Sequence, residues 1–231
     1  KHFYGLGLDE ENQANLHNSR LDKWFEMLVD IFNLSVEEIE DLEIEETPEI
    51  VVEVKDVDGA VETEVGDAGV KVGDSDSEGV SKVKRIYSSP EKIGLFYGST
   101  TGNSEEICDR IFETLGEEVI DLLNVSEVDP NKMLEYNHII ISCPTWNEGE
   151  LQEDWEEFLP KIAALDLKGK TIVMFGLGDQ DGYADNFLDA LGIIAADLIK
   201  AGAEIKGHWS TEGYEFTKSL GLTPDGKHFY G

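Results

Sequence analysis

Short, largely apolar segments alternate with amphipathic segments over residues 92–231, and this alternation limits the possible folds more than any other feature. Each apolar segment has five to seven residues, which is the length of a strand rather than of a helix. Strands without a polar face must be covered on both sides, as they are in parallel sheets. We therefore predict an α/β fold with a doubly wound parallel sheet. The five predicted strands are residues 92–98, 118–122, 138–142, 171–175 and 203–209.

Three amphipathic segments between these strands have the periodicity of helices. Their apolar residues recur every three or four positions, which places them on one helical face. Gly116 and Gly202 follow the first and the third segment, as expected at helix ends. The predicted helices are residues 104–115, a helix beginning near 152, and residues 185–201. Their predicted inward-facing residues are Ile107, Ile111, Leu115, Trp155, Phe158, Leu159, Ile162, Phe187, Leu188, Leu191, Ile194, Ala195 and Leu198.

Residues 35–91 differ from the rest of the chain in composition. They contain 18 acidic and 5 basic residues and a single aromatic residue, Tyr87. A segment of this kind buries too little apolar surface to offset the entropy lost on ordering. We predict a flexible acidic linker here.

The whole chain is strongly acidic, with 50 Asp and Glu against 18 Lys and Arg and a net charge of −32. Such a surface repels nucleic-acid phosphates and anionic membranes, and it favours basic partners. The acidity is also consistent with a role in solubility alone. Because there is no apolar run long enough to span a bilayer and no recognisable leader, we expect neither membrane insertion nor secretion. Cys108 and Cys143 lie in apolar runs, so we expect reduced, semi-buried thiols in an intracellular protein.

The pentapeptide KHFYG occurs twice, at residues 1–5 and again at residues 227–231. The two copies indicate a repeating unit or a circular permutation, although a coincidence or a cloning scar would also produce them. With either a repeating unit or a permutation, residues 1–9 complete the fifth strand. Ser19 then caps a last helix that buries Leu21, Trp24, Phe25, Leu28 and Phe32.

The loop after the first predicted strand, residues 98–104, has the sequence GSTTGNS. Backbone N–H groups and hydroxyls at the start of a helix suit a phosphate. The loop has no Lys of a nucleotide P-loop and no GxGxxG dinucleotide fingerprint. A Ser/Thr-rich helix cap without a ligand remains the alternative.

Two further loops follow the third and the fourth strand. Residues 144–149 contain Trp146, and residues 176–183 contain Tyr183. In a doubly wound sheet these loops emerge beside the first one, at the edge where ligands bind. Either aromatic residue alone is more often a packing anchor. Together, one phosphate-type loop and two aromatic loops favour FMN as the ligand.

These three loops, in this order, resemble the FMN loops of long-chain flavodoxins. Residues 209–216 followed by residues 3–13 resemble that family's divided last strand. The resemblance covers residues 1–34, as the final strand and helix, and residues 92–231, as the main body, but not the linker. It implies a flavodoxin-like five-stranded sheet of order 2-1-3-4-5, in a circularly permuted chain or in one unit of a tandem array.

The resemblance also implies roles for individual residues. The phosphate would be held by the first loop, the flavin ring would lie between Trp146 and Tyr183, and the remaining residues would line the edges of the ring. The implied cofactor-binding residues are Ser99, Thr100, Thr101, Gly102, Asn103, Ser104, Thr145, Trp146, Asn147, Glu148, Gly149, Gly178, Asp179, Tyr183 and Asn186. No catalytic residue and no metal ligand is implied.

The implied function is that of a low-potential, one-electron carrier, not of an enzyme. Its partners would be basic-faced redox proteins such as ferredoxin–NADP reductase, and photosystem I in a phototroph. We expect a cytoplasmic protein, or a stromal one if the source is an alga. The alternatives are an FMN-dependent NAD(P)H:quinone oxidoreductase and a scaffold that has lost FMN. A phosphoacceptor regulator is disfavoured because the first strand ends in hydroxyls rather than in an acidic pair.

Overall fold

The computed structural model describes residue 20, residues 23–40 and residues 83–231. The chain divides into two units, residues 1–37 with 85–231 and residues 38–84. Of the second unit, only residues 38–40 and 83–84 are among those described.

A five-stranded parallel sheet forms the centre of the first unit. Its strands are β3 (Ile93–Tyr97), β4 (Ile120–Asn124), β5 (His138–Ser142), β6 (Thr171–Phe175) and β7 (Glu204–Lys206). They lie in the order β4-β3-β5-β6-β7. Numbered within this sheet, the order is 2-1-3-4-5, which confirms the predicted fold class.

Helices cover both faces of this sheet, as its apolar strands require. Alternate residues of β5 show the two faces, because Ile139 and Ile141 belong to one buried cluster and Ile140 to the other. The helices are α1 (residues 23–32), α2 (Asn103–Leu115), α3 (Glu153–Ile162) and α4 (Asp189–Lys200), with a 3-10 helix at Pro130–Glu135. Helices α3 and α4 pack on the first face, and α1 packs with α2 on the second.

Helix α1 matches the predicted last helix over the residues described. Trp24, Phe25, Leu28 and Phe32 are all buried, as predicted. The ring of Phe32 stacks on His138 of β5 at a centroid distance of 4.9 Å. The predicted cap Ser19, the side chain of Leu21 and the strand predicted at residues 1–9 lie outside the described residues.

Both ends of the predicted flexible linker are strands, which corrects its boundaries at 35 and 91. β1 (Ser35–Glu40) pairs with β2 (Val83–Ser88) in a two-stranded sheet. β1 has the acidic sequence SVEEIE, and β2 has the basic pair in VKRIYS. Composition alone did not reveal this strand pair. The remainder of the predicted linker, residues 41–82, lies outside the described part of the chain.

Three elements also differ from prediction by more than one residue. β4 begins at Ile120 rather than at 118, because the N–H groups of Val119 and Ile120 both donate to the carbonyl of Gly116 in a turn. The fifth strand is divided into β7 and β8 (Trp209–Ser210), since Gly207 has a left-handed φ of 78°. Helix α4 begins at Asp189 rather than at 185, because Leu188 has a φ of 57° and interrupts the helix.

Cys108 and Cys143 are free, as predicted, and they are fully buried rather than semi-buried. Burial raises the pKa of both thiols to about 12, so they stay protonated at neutral pH. Among the described residues, no helix is long and apolar enough to cross a membrane.

Candidate cofactor site

Strands β3, β5 and β6 end side by side, which brings the three predicted loops to one edge of the sheet. Tyr97 is in register with Ser142, and Ser142 with Phe175. The loops are also joined to each other directly. Gln152 Nε2 donates to Thr100 Oγ1 at 3.2 Å, and Thr145 N donates to the carbonyl of Leu177 at 2.8 Å. The predicted convergence of the loops is therefore present.

The first loop leaves the start of helix α2 open. The helix has Gly102 as its N-cap, with a left-handed φ of 84°, and no side chain caps it. Gly102 N donates to Ser99 Oγ at 3.1 Å, which closes the loop beneath the helix end. Thr100, Thr101 and Asn103 are exposed here, and Ser104 is buried. An uncapped helix start surrounded by neutral donors suits a phosphate.

Two acidic residues, Glu105 and Glu106, occupy the first turn of α2 and oppose an anion there. One of them has a partner, since the Tyr97 hydroxyl donates to Glu105 Oε1 at 3.3 Å. Burial, together with the charge of Glu105, raises the pKa of Tyr97 to about 12. Tyr97 therefore remains a hydrogen-bond donor at neutral pH.

Gly98 lies where the first loop meets helix α3. A Cβ atom added at Gly98 would overlap Gln152 Oε1 and lie 2.8 Å from Trp155 Cδ1. Gln152 is the N-cap of α3, and its Oε1 accepts from Asp154 N and Trp155 N. Because Gly98 has no side chain, Gln152 has room to cap α3 and also to bind Thr100.

The second loop is a tight turn from Trp146 to Glu150. Trp146 N donates to the carbonyl of Glu150 at 2.9 Å, and Glu150 N donates back at 2.7 Å. Within the turn, Asn147 and Gly149 have left-handed φ values of 44° and 98°. Asn147 Nδ2 also donates to Glu150 Oε2. Trp146 is half-buried, whereas Asn147 and Glu148 are exposed at the tip.

The third loop is shaped by Asp179. Its carboxylate accepts from Asp181 N at 3.0 Å and from Gly182 N at 2.9 Å, and its carbonyl accepts from Tyr183 N. These bonds present Tyr183 with 48% of its surface exposed, a large exposure for an aromatic ring. Gly178 packs closely against Phe187, 3.2 Å from the position of an added Cβ.

Asp189 joins the second and third loops, and the sequence did not identify it. Its side chain is buried at the start of α4, where Oδ1 accepts from Leu220 N at 2.6 Å and Oδ2 from Asn186 Nδ2 at 3.3 Å. A Cβ added at Gly149 would lie 2.7 Å from Oδ2, so the second loop rests on this carboxylate. Its only sequence signal is an acidic residue within an apolar helix face.

Thr145 and Asn186, both predicted cofactor residues, make bonds within the protein. Thr145 Oγ1 accepts from Ala190 N at 3.3 Å, and Asn186 Nδ2 donates to Asp189. These contacts place both residues at the base of the loops, below the tips that carry Trp146 and Tyr183. Over the described ranges, no three His, Cys, Asp or Glu side chains are grouped so that they could hold a metal ion.

A protein-family model described as Flavodoxin matches residues 95–222, which include all three loops. The flavodoxin of Nostoc sp. is 45% identical over 132 residues, covering 57% of this chain and 78% of that protein. This chain belongs to the flavodoxin family. Flavodoxin 2 of Escherichia coli is 42% identical to this flavodoxin over 139 residues, covering 60% of the chain and 80% of the relative.

Solved flavodoxin structures share the fold. The crystal structure of Fusobacterium nucleatum flavodoxin bound to flavin mononucleotide superposes with a TM-score of 0.57 at 26% identity. The match covers 61% of this flavodoxin and 83% of that protein. A mutant of the same Fusobacterium protein, also bound to flavin mononucleotide, gives the same TM-score.

Proposed function

We propose that this flavodoxin binds FMN at the three joined loops and carries single electrons between redox proteins. The observation that supports this most directly is the convergence of an uncapped helix start with two loops bearing Trp146 and Tyr183. One end of the site is suited to a phosphate and the other to a flat ring.

The donor chemistry of the site fits FMN. The first loop offers hydroxyl, amide and backbone N–H donors without a Lys or Arg, so it would hold a phosphate by hydrogen bonds rather than by ion pairs. Asn147, Glu148 and Gly149 would border one edge of the ring, and Gly178 with Asp179 the other. When bound, FMN would supply one-electron transfer.

The acidic residues of the loops would set the redox potential. Glu148 and Asp181 are exposed beside the ring-binding loops, and negative charge near the ring opposes the addition of electrons. One such charge at about 8 Å, with an effective dielectric constant of about 20, contributes about 2 kcal/mol of repulsion. This chain should therefore hold FMN at low potential.

The partners should present basic surfaces to this acidic protein. A ferredoxin–NADP reductase and, in a phototroph, the acceptor side of photosystem I fit this description. Opposite charges accelerate the encounter of two proteins, and salt screens the attraction. Electron transfer to such a reductase should therefore become slower as ionic strength rises.

The absorption spectrum of the purified protein titrated with FMN tests the proposal, together with Trp146→Ala and Tyr183→Ala. Each substitution should weaken FMN binding and raise the midpoint potential of the second one-electron reduction. The reason is that water would take the place of the removed aromatic side chain. This water would screen the repulsion between the reduced flavin and the acidic residues. Leu134→Ala is a control, because Leu134 is similarly exposed on the 3-10 helix at the opposite edge of the sheet.

Two outcomes would contradict the proposal. One is a colourless protein whose fluorescence and stability do not respond to added FMN. The other is rapid NADPH oxidation with a quinone and no separate reductase, which would identify an oxidoreductase instead.

We also propose that residues 1–34 supply the final strand and helix of the domain whose main body is residues 92–231, as in a permuted or tandemly repeated flavodoxin. The packing of α1 on the same sheet face as α2 supports this arrangement. The gene sequence on either side of this segment tests it. Further KHFYG-containing units would indicate a tandem array, and unrelated flanking sequence would indicate a permutation.

A further inference from the structure

The second copy of the repeated pentapeptide, residues 227–231, is built into the fold. His228 and Phe229 form β9, which pairs antiparallel with Trp209 and Ser210 of β8. Phe229 is completely buried in an aromatic groove. Its ring lies 5.3 to 5.6 Å from the rings of the three wall residues Phe187, Tyr214 and Phe216.

Backbone hydrogen bonds fix the pentapeptide along its whole length. The carbonyls of Lys227 and His228 accept from Thr211 N at 3.0 Å and from Thr223 N at 2.9 Å. Tyr230 N donates to the carbonyl of Gly221 at 2.9 Å. A Cβ added at Gly231 would overlap the carbonyl of Met174 in β6, so this position requires glycine. The groove therefore selects for a buried Phe followed two positions later by Gly.

Residues 1–5 have the same five residues in the same order, with Phe3 and Gly5 at the selected positions. They satisfy every requirement of the groove as well as residues 227–231 do. The chain that connects them to the domain passes beside the groove at Arg20, because the Arg20 guanidinium lies 4.7 Å from the ring centroid of Tyr214, a wall of the groove. Gly5 is 15 positions before Arg20, and a chain of that length reaches up to about 50 Å.

The first copy is followed in the sequence by Leu6-Gly7-Leu8-Asp9, and β6 has room for such a continuation. The pairing of β7 with β6 ends at Val173, and Gly231 lies against Met174, the next residue of β6. A chain that leaves the groove at this point is directed along Met174 and Phe175, where apolar residues add to the sheet.

We propose that this groove is an exchangeable docking site, and that residues 1–5 of the same chain compete with residues 227–231 for it. A tether of this length gives the first copy an effective concentration in the millimolar range, well above that of another molecule in dilute solution. The second copy is held by the short turn at residues 223–227. The inference concerns the strand alone and does not depend on the cofactor.

The test compares Phe3→Ala, Phe229→Ala and the double variant by thermal unfolding of the full chain. If either copy can fill the groove, each single variant retains most of the wild-type Tm, and the double variant loses more than the two single losses combined. Phe216→Ala is the matched control, because this wall residue has no duplicate and its loss should cost stability in every background. The proposal is overturned if Phe229→Ala alone lowers Tm as much as the double variant while Phe3→Ala changes nothing.

A 19F label on the ring of Phe3 reports directly whether Phe3 occupies the groove, which thermal unfolding does not show. In the Phe229→Ala background, the label should shift from a solvent-exposed to a buried resonance. The shift should be independent of protein concentration, and analytical sedimentation should show that the protein is a monomer. If the buried resonance grows with concentration and dimers form, the occupant is residues 1–5 of another molecule, and the assignment to the same chain is wrong.

Discussion

Gln152 and Asp189 each use one buried side chain to connect two loops of the cofactor site. Gln152 caps helix α3 with its oxygen and holds Thr100 with its nitrogen. Asp189 accepts from Leu220 N and Asn186 Nδ2 while the second loop rests against it. A buried polar group contributes most to stability when all of its hydrogen bonds are formed. Gln152 and Asp189 therefore keep the loops in place before a ligand binds.

Gln152→Ala should lower both stability and FMN affinity. Loss of the cap should cost about 1–2 kcal/mol of unfolding free energy. Loss of the bond to Thr100 should weaken FMN binding about fivefold, the equivalent of one hydrogen bond. Chemical denaturation and FMN fluorescence titration measure the two effects.

Asp129→Ala is the control for this substitution. It removes the cap of the 3-10 helix, where Asp129 accepts from Asn131 N at 2.8 Å, and this helix belongs to none of the three loops. It should reduce stability and leave FMN affinity unchanged. Equal FMN affinity in wild type and Gln152→Ala would show that the bond to Thr100 does not organise the phosphate loop.

At the residue scale, sequence reasoning found the loops but not their supports. The loop residues follow directly from strand ends and turn chemistry, which are local. Gln152 bonds to a residue 52 positions away, and Asp189 to one 31 positions away. Contacts of that kind depend on how the strands are ordered in space, which no local pattern contains.

At the scale of elements, the contact of α1 with β5 contains a half-buried histidine. His138 stacks on Phe32, and its Nδ1 atom is buried without a hydrogen-bond partner. Burial lowers the pKa of His138, Glu91 raises it and Lys206 lowers it. The folded pKa is therefore below the unfolded value of about 6.5.

The stability that His138 contributes should be lost on acidification. Since the unfolded chain binds more protons than the folded chain between the two pKa values, stability falls as pH drops below about 6.5. The unfolding free energy of wild type minus that of His138→Leu should decrease from about pH 7.5 to about pH 5. Urea denaturation at constant ionic strength measures it, and a difference that does not vary with pH would contradict the effect of burial.

The elements themselves were largely predictable, because β3, β5, β6 and α2 have the lengths and apolar patterns of buried strands and an amphipathic helix. The start of α4 was not predictable. The apolar pattern runs through Phe187 and Leu188, but Leu188 has a left-handed φ and lies before the first helical residue. Phe187 packs instead with Tyr214, Phe216 and Phe229. Tertiary packing overrides helical periodicity here.

On the scale of the whole molecule, net charge opposes compactness. The Lys–acid pairs Lys92–Asp121, Lys132–Glu135 and Lys206–Glu204 are all at least one-third exposed, so they contribute little stability against the repulsion that the net charge of −32 produces. Composition predicted this property fully, because it depends on the count of charged residues and not on their arrangement.

Salt should therefore stabilise the folded protein. Between about 0.01 M and about 0.15 M ionic strength, the Debye length falls from about 30 Å to about 8 Å, which screens repulsion among acidic residues across the surface. Each 1 kcal/mol gained should raise Tm by about 2–4 °C in a protein of this size. Sodium chloride and potassium chloride should give the same increase, because screening depends on ionic strength. A Tm that stays constant, or that differs between the two salts, would mean that specific ion binding or local pairing outweighs the repulsion.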